Sequence, residues 1–311
     1  MRRLRYVPEG GALVEVTCRT LHSRFLFRPG PNVNDIIVGV LARAQQTYPI
    51  RICAYFFLSG HFHLLLDVAD AGQLSRFMCY LNSNLAKEVG RLVGWREKIF
   101  GRRYQSIPIS SEEWAQVARL RYVLSHGVKE GLVEKVTQWP KVTQWPGVHC
   151  AHALLTGATV EGHWYDRTQE YAARRRNETV DPMQFATLEV LELSPLPCWK
   201  HLPVETQRRL VAAMVADIEQ EAAARRERTG SQVLGVSAIL GQHPFDRPAR
   251  SKKSPAPLFH AATKRARDEL YAAYAWFVDA YRQASEKLRS GIREVAFPAG
   301  SFPPAQPFVV G

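Results

Sequence analysis

The chain has 311 residues, enough for one large domain or two ordinary ones, and its hydrophobic content of 46% is typical of a soluble globular protein with a sizeable core. The formal net charge is +12, and most of the excess lies in residues 1–150, which carry 20 Lys and Arg against 11 Asp and Glu. This balance indicates a polyanionic partner, nucleic acid above all, although a merely soluble basic protein would have the same composition.

The cysteines and the apolar segments indicate the cellular compartment of the protein. Five scattered cysteines without a C-x-x-C pair indicate neither a zinc knuckle nor a disulfide framework, and they fit a reducing compartment. No apolar run approaches the ~18 residues of a membrane span, and no apolar export segment precedes the first predicted strand. We therefore expect a cytoplasmic protein without a membrane segment.

Strand and helix patterns alternate over the first 126 residues. Alternating and β-branched residues predict strands at 11–20, 50–59, 61–68 and 102–110, and helical spacing predicts helices at 34–48, 73–93 and 111–126. Asn34 is the predicted N-cap of the first helix, Ser110 and Glu113 form a predicted capping box, and Gly127 is the predicted helix end. This order predicts an α+β fold with an antiparallel sheet and helices on one face.

The composition and pattern of the sequence change after about residue 180. Before that point, residues 135–146 repeat "KVTQWP" and are predicted to form a duplicated loop. After it come helical stretches at 203–228 and 258–289, a basic Pro/Ser-rich linker at 246–257 and an extended tail. We predict two domains, residues 1–180 and a mostly helical region, residues 181–311. No motif in the second domain indicates a chemical activity.

Two histidines one residue apart interrupt the apolar strand "HFHLLLDV". Because side chains alternate faces along a strand, His61 and His63 project to the same side, about 7 Å apart along the backbone. Neutral imidazoles suit first-row divalent metals, but two ligands are an incomplete site. The pair can equally be two satisfied histidines at a sheet surface.

The third predicted helix carries a second polar feature. Its predicted core stripe consists of Trp114, Val117, Leu120 and Leu124. Tyr122 and His126, four residues apart, share a face that points away from this stripe. The tyrosine can meet the sheet face that bears the histidine pair, or it can pack sideways against a neighbouring element. Near a metal and a basic surface, a tyrosine is suited to nucleophilic attack on a phosphodiester.

Several segments, in order, resemble the HUH single-tyrosine transposases, and specifically the REP-associated tyrosine transposase group. "LSGHFHLLL" is similar to that family's H-hydrophobic-H motif, and "YVLSHGVKEGLV" to its tyrosine followed by "hxxNPVRAGLV"-like residues. "VTCRTLHSRFLF" and "IFGRRYQSIPIS" also match, so that the resemblance covers roughly residues 1–175. Three departures are visible: "LSG" replaces the usual "MPN", Gly127 replaces a proline, and His126 stands where relatives have Asn or Gln.

The resemblance implies a ferredoxin-like domain that works, usually as a dimer, on single-stranded or hairpin DNA. It implies that His61 and His63 bind Mg²⁺ or Mn²⁺, with His126 as the third ligand, and that Tyr122 is the nucleophile that forms a 5′-phosphotyrosine and frees a 3′-OH. A site of three histidines is expected to accept Mn²⁺, or to be inhibited by Zn²⁺, more readily than one with an oxygen ligand. We therefore expect a homodimeric DNA strand transferase.

The same segments contain candidate DNA contacts. The predicted phosphate-binding residues are Arg19, Arg24, Arg102 and Arg103. Tyr104 is a predicted stacking partner for a base. Each of these can also be an ordinary surface residue.

Two other functions remain open from the sequence. The first is a domesticated regulator that binds structured single-stranded DNA and no longer cleaves it. The second is a metal hydrolase with water as the nucleophile, for which Tyr122 would be dispensable.

Overall fold

A computed structural model describes residues 4–140, 147–176, 179–249 and 256–304. Its first part is a four-stranded antiparallel sheet with strand order β2-β3-β1-β4. The elements in chain order are β1 (Ala12–Arg19), α1 (Pro31–Thr47), β2 (Arg51–Leu58), β3 (His61–Val68), α2 (Ala71–Val93), β4 (Gln105–Ile109) and α3 (Glu113–Ser125). The α+β fold with ferredoxin-like order and connectivity, predicted from the sequence, is confirmed.

Helices cover both faces of the sheet. Asn82 of α2 donates to Cys18 Sγ at 3.9 Å, whereas the neighbouring Thr17 hydroxyl lies 3.1 Å from His63 Nδ1. Because adjacent residues of β1 face opposite sides, α2 and the histidine pair lie on opposite faces. Helices α1 and α2 pack together on the first face, whereas α3 covers the histidine face, so that the helices are not confined to one face as the sequence predicted.

The predicted caps of two helices are wrong. Helix α1 begins at Pro31, three residues before the predicted cap. Proline suits the first turn, because the backbone N–H that it lacks would have no hydrogen-bond partner within the helix there. Helix α3 begins at Glu113, and its N-cap, Glu112, makes no side-chain cap to this helix. The Glu112 carboxylate instead accepts from the backbone N–H groups of Ala262, at 2.8 Å, and Thr263. A contact with a distant segment has therefore replaced the predicted capping box.

The middle of the chain forms a second sheet that packs against α1. It contains α4 (Ala151–Thr156), β5 (Val160–Tyr165), α5 (Arg167–Arg175) and β6 (Ala186–Leu191), and β5 pairs with β6 as a second antiparallel sheet. Helix α1 and β5 meet at backbone distance, since a Cβ atom on Gly39 would lie 2.1 Å from the His163 carbonyl oxygen. The domain boundary predicted near residue 180 falls between these paired strands, and the boundary itself stays a prediction.

The remaining elements are helical, as predicted: α6 (Val204–Thr229), the short α7 (Val236–Gly241) and α8 (Lys264–Arg289). Helix α6 packs against α3 and α4. Before α8, the chain adds to the outer edge of β4, where the His260 N–H donates to the Pro108 carbonyl at 3.0 Å and the Ser110 N–H to the His260 carbonyl at 2.8 Å.

Some predicted features lie partly outside the described residues. The first "KVTQWP" copy contains a 3₁₀ turn at Val136–Gln138, whereas the second copy, 141–146, lies outside them. So do residues 250–255 of the predicted linker and 305–311 of the predicted tail. Within the described ranges, no helix combines the length and the apolar character that crossing a membrane requires.

Candidate metal centre and tyrosine site

Three histidines converge at one end of the sheet. The nearest ring nitrogens of His61, His63 and His126 lie within 4.8 Å of one another. The His63 and His126 rings are stacked with centroids 4.2 Å apart, and the His61 and His63 centroids are 5.2 Å apart. The family resemblance implied these three residues as ligands, and β3 and the end of α3 bring them together.

The ends of two elements set this geometry. His61 and His63 open β3 directly after the Ser59-Gly60 turn, so that both point to the face that α3 covers. His126 follows the last residue of α3, and Gly127 takes a φ of 85°, the left-handed region in which glycine is favoured. The predicted helix end at Gly127 is thus confirmed, and it turns His126 toward the sheet.

Carboxylates hold two of the three imidazoles. His63 Nδ1 lies 3.1 Å from Glu15 Oε1, and His126 Nδ1 lies 2.9 Å from Glu130 Oε1. Glu130 is itself fixed, because its second oxygen accepts from the Gly127 N–H at 2.7 Å. An Nδ1–H donated to a carboxylate leaves Nε2 as the free lone pair, which is the arrangement of metal-ligating histidines.

Burial favours the neutral form of the three histidines, the form that binds a metal. Burial is the main cause that lowers the pKa values of His61 and His126 well below the usual range, and the charge of protonated His63 lowers both further. Burial also lowers the pKa of His63, against the opposing hydrogen bond and charge of Glu15. Neutral imidazoles therefore suit a divalent cation.

Glu15 is a buried carboxylate at the centre of a second network. Its Oε2 lies 3.2 Å from an Arg119 guanidinium nitrogen and 3.0 Å from His260 Nε2. Burial opposes its ionisation, but hydrogen bonds from His260 and His63 and the charges of His63 and Arg119 hold its pKa below the usual value. Glu15 thus links the histidine triad to α3 and to the region after residue 180.

Tyr122 stands beside the triad. Its ring centroid lies 4.8 Å from that of His126 and 5.6 Å from that of His63. The Arg119 guanidinium carbon lies 4.3 Å from the Tyr122 ring centroid. Burial and then the charge of Glu15 raise the pKa of the phenol, whereas the charge of Arg119 lowers it. The sequence left two positions open for Tyr122, against the histidine face of the sheet or sideways against a neighbouring element. In the structure it lies against the histidine face.

The side chain of Lys129 also lies against this site. Its Nζ lies 3.4 Å from the Tyr122 ring centroid and 3.3 Å from His126 Nε2, the ring nitrogen that Glu130 does not contact. Burial lowers the pKa of Lys129 to about 8, partly offset by the charge of Glu130. A side-chain ammonium therefore lies against one of the candidate metal ligands.

Three of the predicted DNA contacts lie at the triad's end of the sheet. Arg19 is exposed and pairs in register with His61, and its charge helps to lower that histidine's pKa. Arg102 and Arg103 are exposed and precede Gln105, which pairs with Thr17 near the same end. Their role in DNA binding stays a prediction.

The two other predicted DNA contacts are engaged within the protein. A guanidinium N–H of Arg24 donates to the Phe245 carbonyl, and the Arg24 guanidinium carbon lies 5.1 Å from the Trp95 ring. Tyr104 is buried, and the Arg5 guanidinium carbon lies 4.7 Å from the centroid of its ring. Either residue would have to release these contacts to reach DNA.

Sequence reasoning missed the residues that surround the triad and misplaced one on α3. The missed ones are Glu15, Arg119, Lys129, Glu130 and His260. Sequence spacing could have indicated two of them. Glu15 shares a face of β1 with Thr17, and Glu130 lies four residues after His126. Trp114, predicted to be core, is 80% exposed, because it lies about 120° around the helix from the buried Leu120.

Comparison with solved structures finds transposases. The chain is similar to a REP-associated tyrosine transposase bound to a REP hairpin, with 19% identity and a TM-score of 0.36 over 45% of this chain and 80% of that one. It is also similar to a proposed transposase from Deinococcus radiodurans R1, with 16% identity and a TM-score of 0.28 over 39% of this chain and 95% of that one. No protein-family model and no curated protein matches the chain.

Proposed function

We propose that the protein is a metal-dependent strand transferase that acts on single-stranded or hairpin DNA, with Tyr122 as its nucleophile. The observation that carries this proposal is the convergence of Tyr122 with three histidines. The excess positive charge of the first 150 residues, and Arg19 beside His61, support a polyanionic substrate.

In the proposed step, the Tyr122 oxygen attacks the scissile phosphorus. The new O–P bond forms as the P–O3′ bond breaks, which leaves a 5′-phosphotyrosine and a free 3′-OH. The phenol loses its proton and the departing 3′ oxygen gains one, so that charge and atoms balance. Joining is the reverse reaction, in which a 3′-OH attacks the phosphotyrosine.

The chain's own residues supply orientation and charge. His61, His63 and His126 would hold the ion, which when bound supplies Lewis-acid polarisation of a phosphate oxygen. Arg119 lies over the Tyr122 ring and favours the phenolate, whose formation burial opposes. Glu15 and Glu130 fix the Nδ1 sides of two imidazoles.

A covalent-adduct assay tests this proposal. The protein is incubated with Mn²⁺ and single-stranded or hairpin oligonucleotides taken from the DNA that flanks its gene, and adducts are resolved on denaturing gels. We expect an adduct with the unchanged chain and none with Tyr122→Phe, which keeps the ring and removes only the hydroxyl. An exposed tyrosine on α5 offers the matched control, Tyr171→Phe, which should retain the adduct. An adduct that survives Tyr122→Phe would show that Tyr122 is not the nucleophile.

Lys129 favours a second candidate, a protein that binds structured single-stranded DNA without cleaving it. Its ammonium lies 3.3 Å from His126 Nε2, where a cation at the triad would be repelled. In this alternative, Lys129 takes the place of the ion and contacts phosphate directly. Hairpin binding that is unaffected by Mn²⁺, lost in Lys129→Met and never accompanied by an adduct would favour the binder over the transferase.

A further inference from the structure

His260 belongs to the region after residue 180, yet its side chain reaches the network around the candidate site. The segment before α8 is fixed to β4 by two backbone hydrogen bonds, in which Pro108 and Ser110 are the partners of His260. The His260 ring is then held with Nε2 3.0 Å from Glu15 Oε2 and 3.0 Å from an Arg119 guanidinium nitrogen. The backbone therefore determines where this imidazole lies.

Glu15 has two oxygens with different partners. Oε1 lies 3.1 Å from His63 Nδ1, and Oε2 lies near both Arg119 and His260. His260 Nε2 either donates to Glu15 or accepts from Arg119, since one ring nitrogen cannot do both at once. In the first case His260 orients the carboxylate that holds His63, and in the second it orients the guanidinium over the Tyr122 ring.

We propose that His260 is a positioning residue of the candidate site, through which the region after residue 180 fixes the orientations of His63 and Arg119. This inference rests on the proposed function for its reaction, but its first consequence is metal affinity. Groups that orient metal-ligating histidines typically change metal affinity by about 10-fold to 100-fold when they are removed. His260 acts through Glu15, one step further away, so we expect an effect near the lower bound, about 10-fold.

The test measures Mn²⁺ binding to the full chain by isothermal titration calorimetry without DNA, and the absorption spectrum of bound Co²⁺. His260→Ala should weaken Mn²⁺ binding about 10-fold and change the Co²⁺ spectrum. His260→Gln should restore most of the affinity, because a glutamine amide can occupy the position of Nε2. The exposed His201 provides the control, His201→Ala, which should leave both measurements unchanged.

A fourth variant keeps the test decisive if His260→Ala does not fold. His260→Asn retains an amide on a shorter side chain that does not reach the position of Nε2, so it should bind Mn²⁺ more weakly than His260→Gln. Equal Mn²⁺ affinities for the Gln, Asn and unchanged proteins would overturn the role of His260.

The adduct assay separates this inference from the proposed function. Mn²⁺ binding that is weakened in His260→Ala, in a chain that never forms an adduct, would support His260 as a positioning residue and contradict the transferase. Mn²⁺ binding and adduct formation at unchanged levels in all His260 variants would overturn the inference alone.

Discussion

At the scale of single residues, the site depends on imidazoles that burial keeps neutral. His63 and His126 are buried, and so is His149, whose ring centroid lies 4.3 Å from that of Phe56. Burial lowers the pKa of His149 to about 4, against a hydrogen bond to the Val136 carbonyl. Because these groups ionise more readily once the chain unfolds, acid favours the unfolded state.

His149, which is not one of the three triad histidines, allows a test of this effect. Its folded pKa of about 4 lies below the ordinary histidine value of 6.5, so the unfolded chain binds more protons between these pH values. The free energy of unfolding should therefore fall as the pH falls through this window, with a contribution from His149 of about 3 kcal/mol. His149→Phe cannot titrate and should flatten the pH dependence by that amount.

The measurement is urea unfolding of metal-free protein at several pH values between 7 and 4. The exposed His201 again provides the control, and His201→Phe should leave the slope against pH unchanged. Identical slopes for His149→Phe and the unchanged chain would contradict a depressed pKa for His149.

At the scale of elements, the backbones of α1 and β5 are in close contact. Gly39 of α1 and Gly162 of β5 face each other, and a Cβ atom on Gly162 would lie 2.5 Å from the Asp35 carbonyl oxygen. Asp35 also accepts from His163, at 2.8 Å from Nδ1. These contacts join the second sheet to the helix that supports the first one.

Gly39→Ala should separate these two elements. Its Cβ would lie 2.1 Å from the His163 carbonyl oxygen, and backbone cannot yield as a flexible side chain does. We expect a loss of about 3 kcal/mol or more in the free energy of unfolding, the upper range for overpacking. Chemical denaturation measures it, and Gly241→Ala is the control, because a Cβ there meets nothing within 4 Å. Equal stabilities for the two variants would contradict the close packing of α1 and β5.

The elements also show how far the sequence could predict the fold. Periodicity predicted the four strands of the first sheet, because both faces are strongly specified by burial and the Ser59-Gly60 turn fixes one register. It missed β5 and β6, where Leu188 and Val190 are exposed apolar residues and the burial pattern is weak. The predicted cap of α3 was wrong because Glu112 binds Ala262 and Thr263, a contact that no local pattern contains.

Some residues of the candidate site could be predicted from the sequence, and others could not. His61, His63, Tyr122 and His126 were predictable, because strand alternation, helical spacing and the family resemblance all concern neighbours along the chain. His260 was not, since it meets Glu15 only after the segment before α8 has paired with β4. Its contribution depends on contacts between residues about 245 positions apart.

At the scale of the whole molecule, positive charge is concentrated in the half that carries the candidate site. A protein that neutralises phosphates releases counterions, so its affinity for DNA falls as salt rises. Arg19, Arg102 and Arg103 lie toward one end of the sheet with the triad, whereas Arg265 lies on α8 with an exposed side chain. The two groups of arginines should therefore respond differently to substitution.

Arg102→Ala should lower the affinity for single-stranded oligonucleotides uniformly across sequences. It should also reduce the slope of log affinity against log salt by about 0.7, the value for one phosphate contact on a single strand. Fluorescence anisotropy at several salt concentrations measures this slope. Arg265→Ala is the control, with no expected change, and an unaltered slope for Arg102→Ala would remove that residue from the DNA contacts.

Both outer edges of the main sheet are hydrogen-bonded to the protein's own chain. Beside β2, Val148 and Cys150 bond to Phe57 and Tyr55, and beside β4 the segment at His260 bonds to Pro108 and Ser110. A second copy could extend this sheet only by displacing these segments, because their hydrogen bonds use the backbone groups that an added strand would need. If the expected homodimer forms, its two sheets should remain separate, and the subunits should meet through helices or loops.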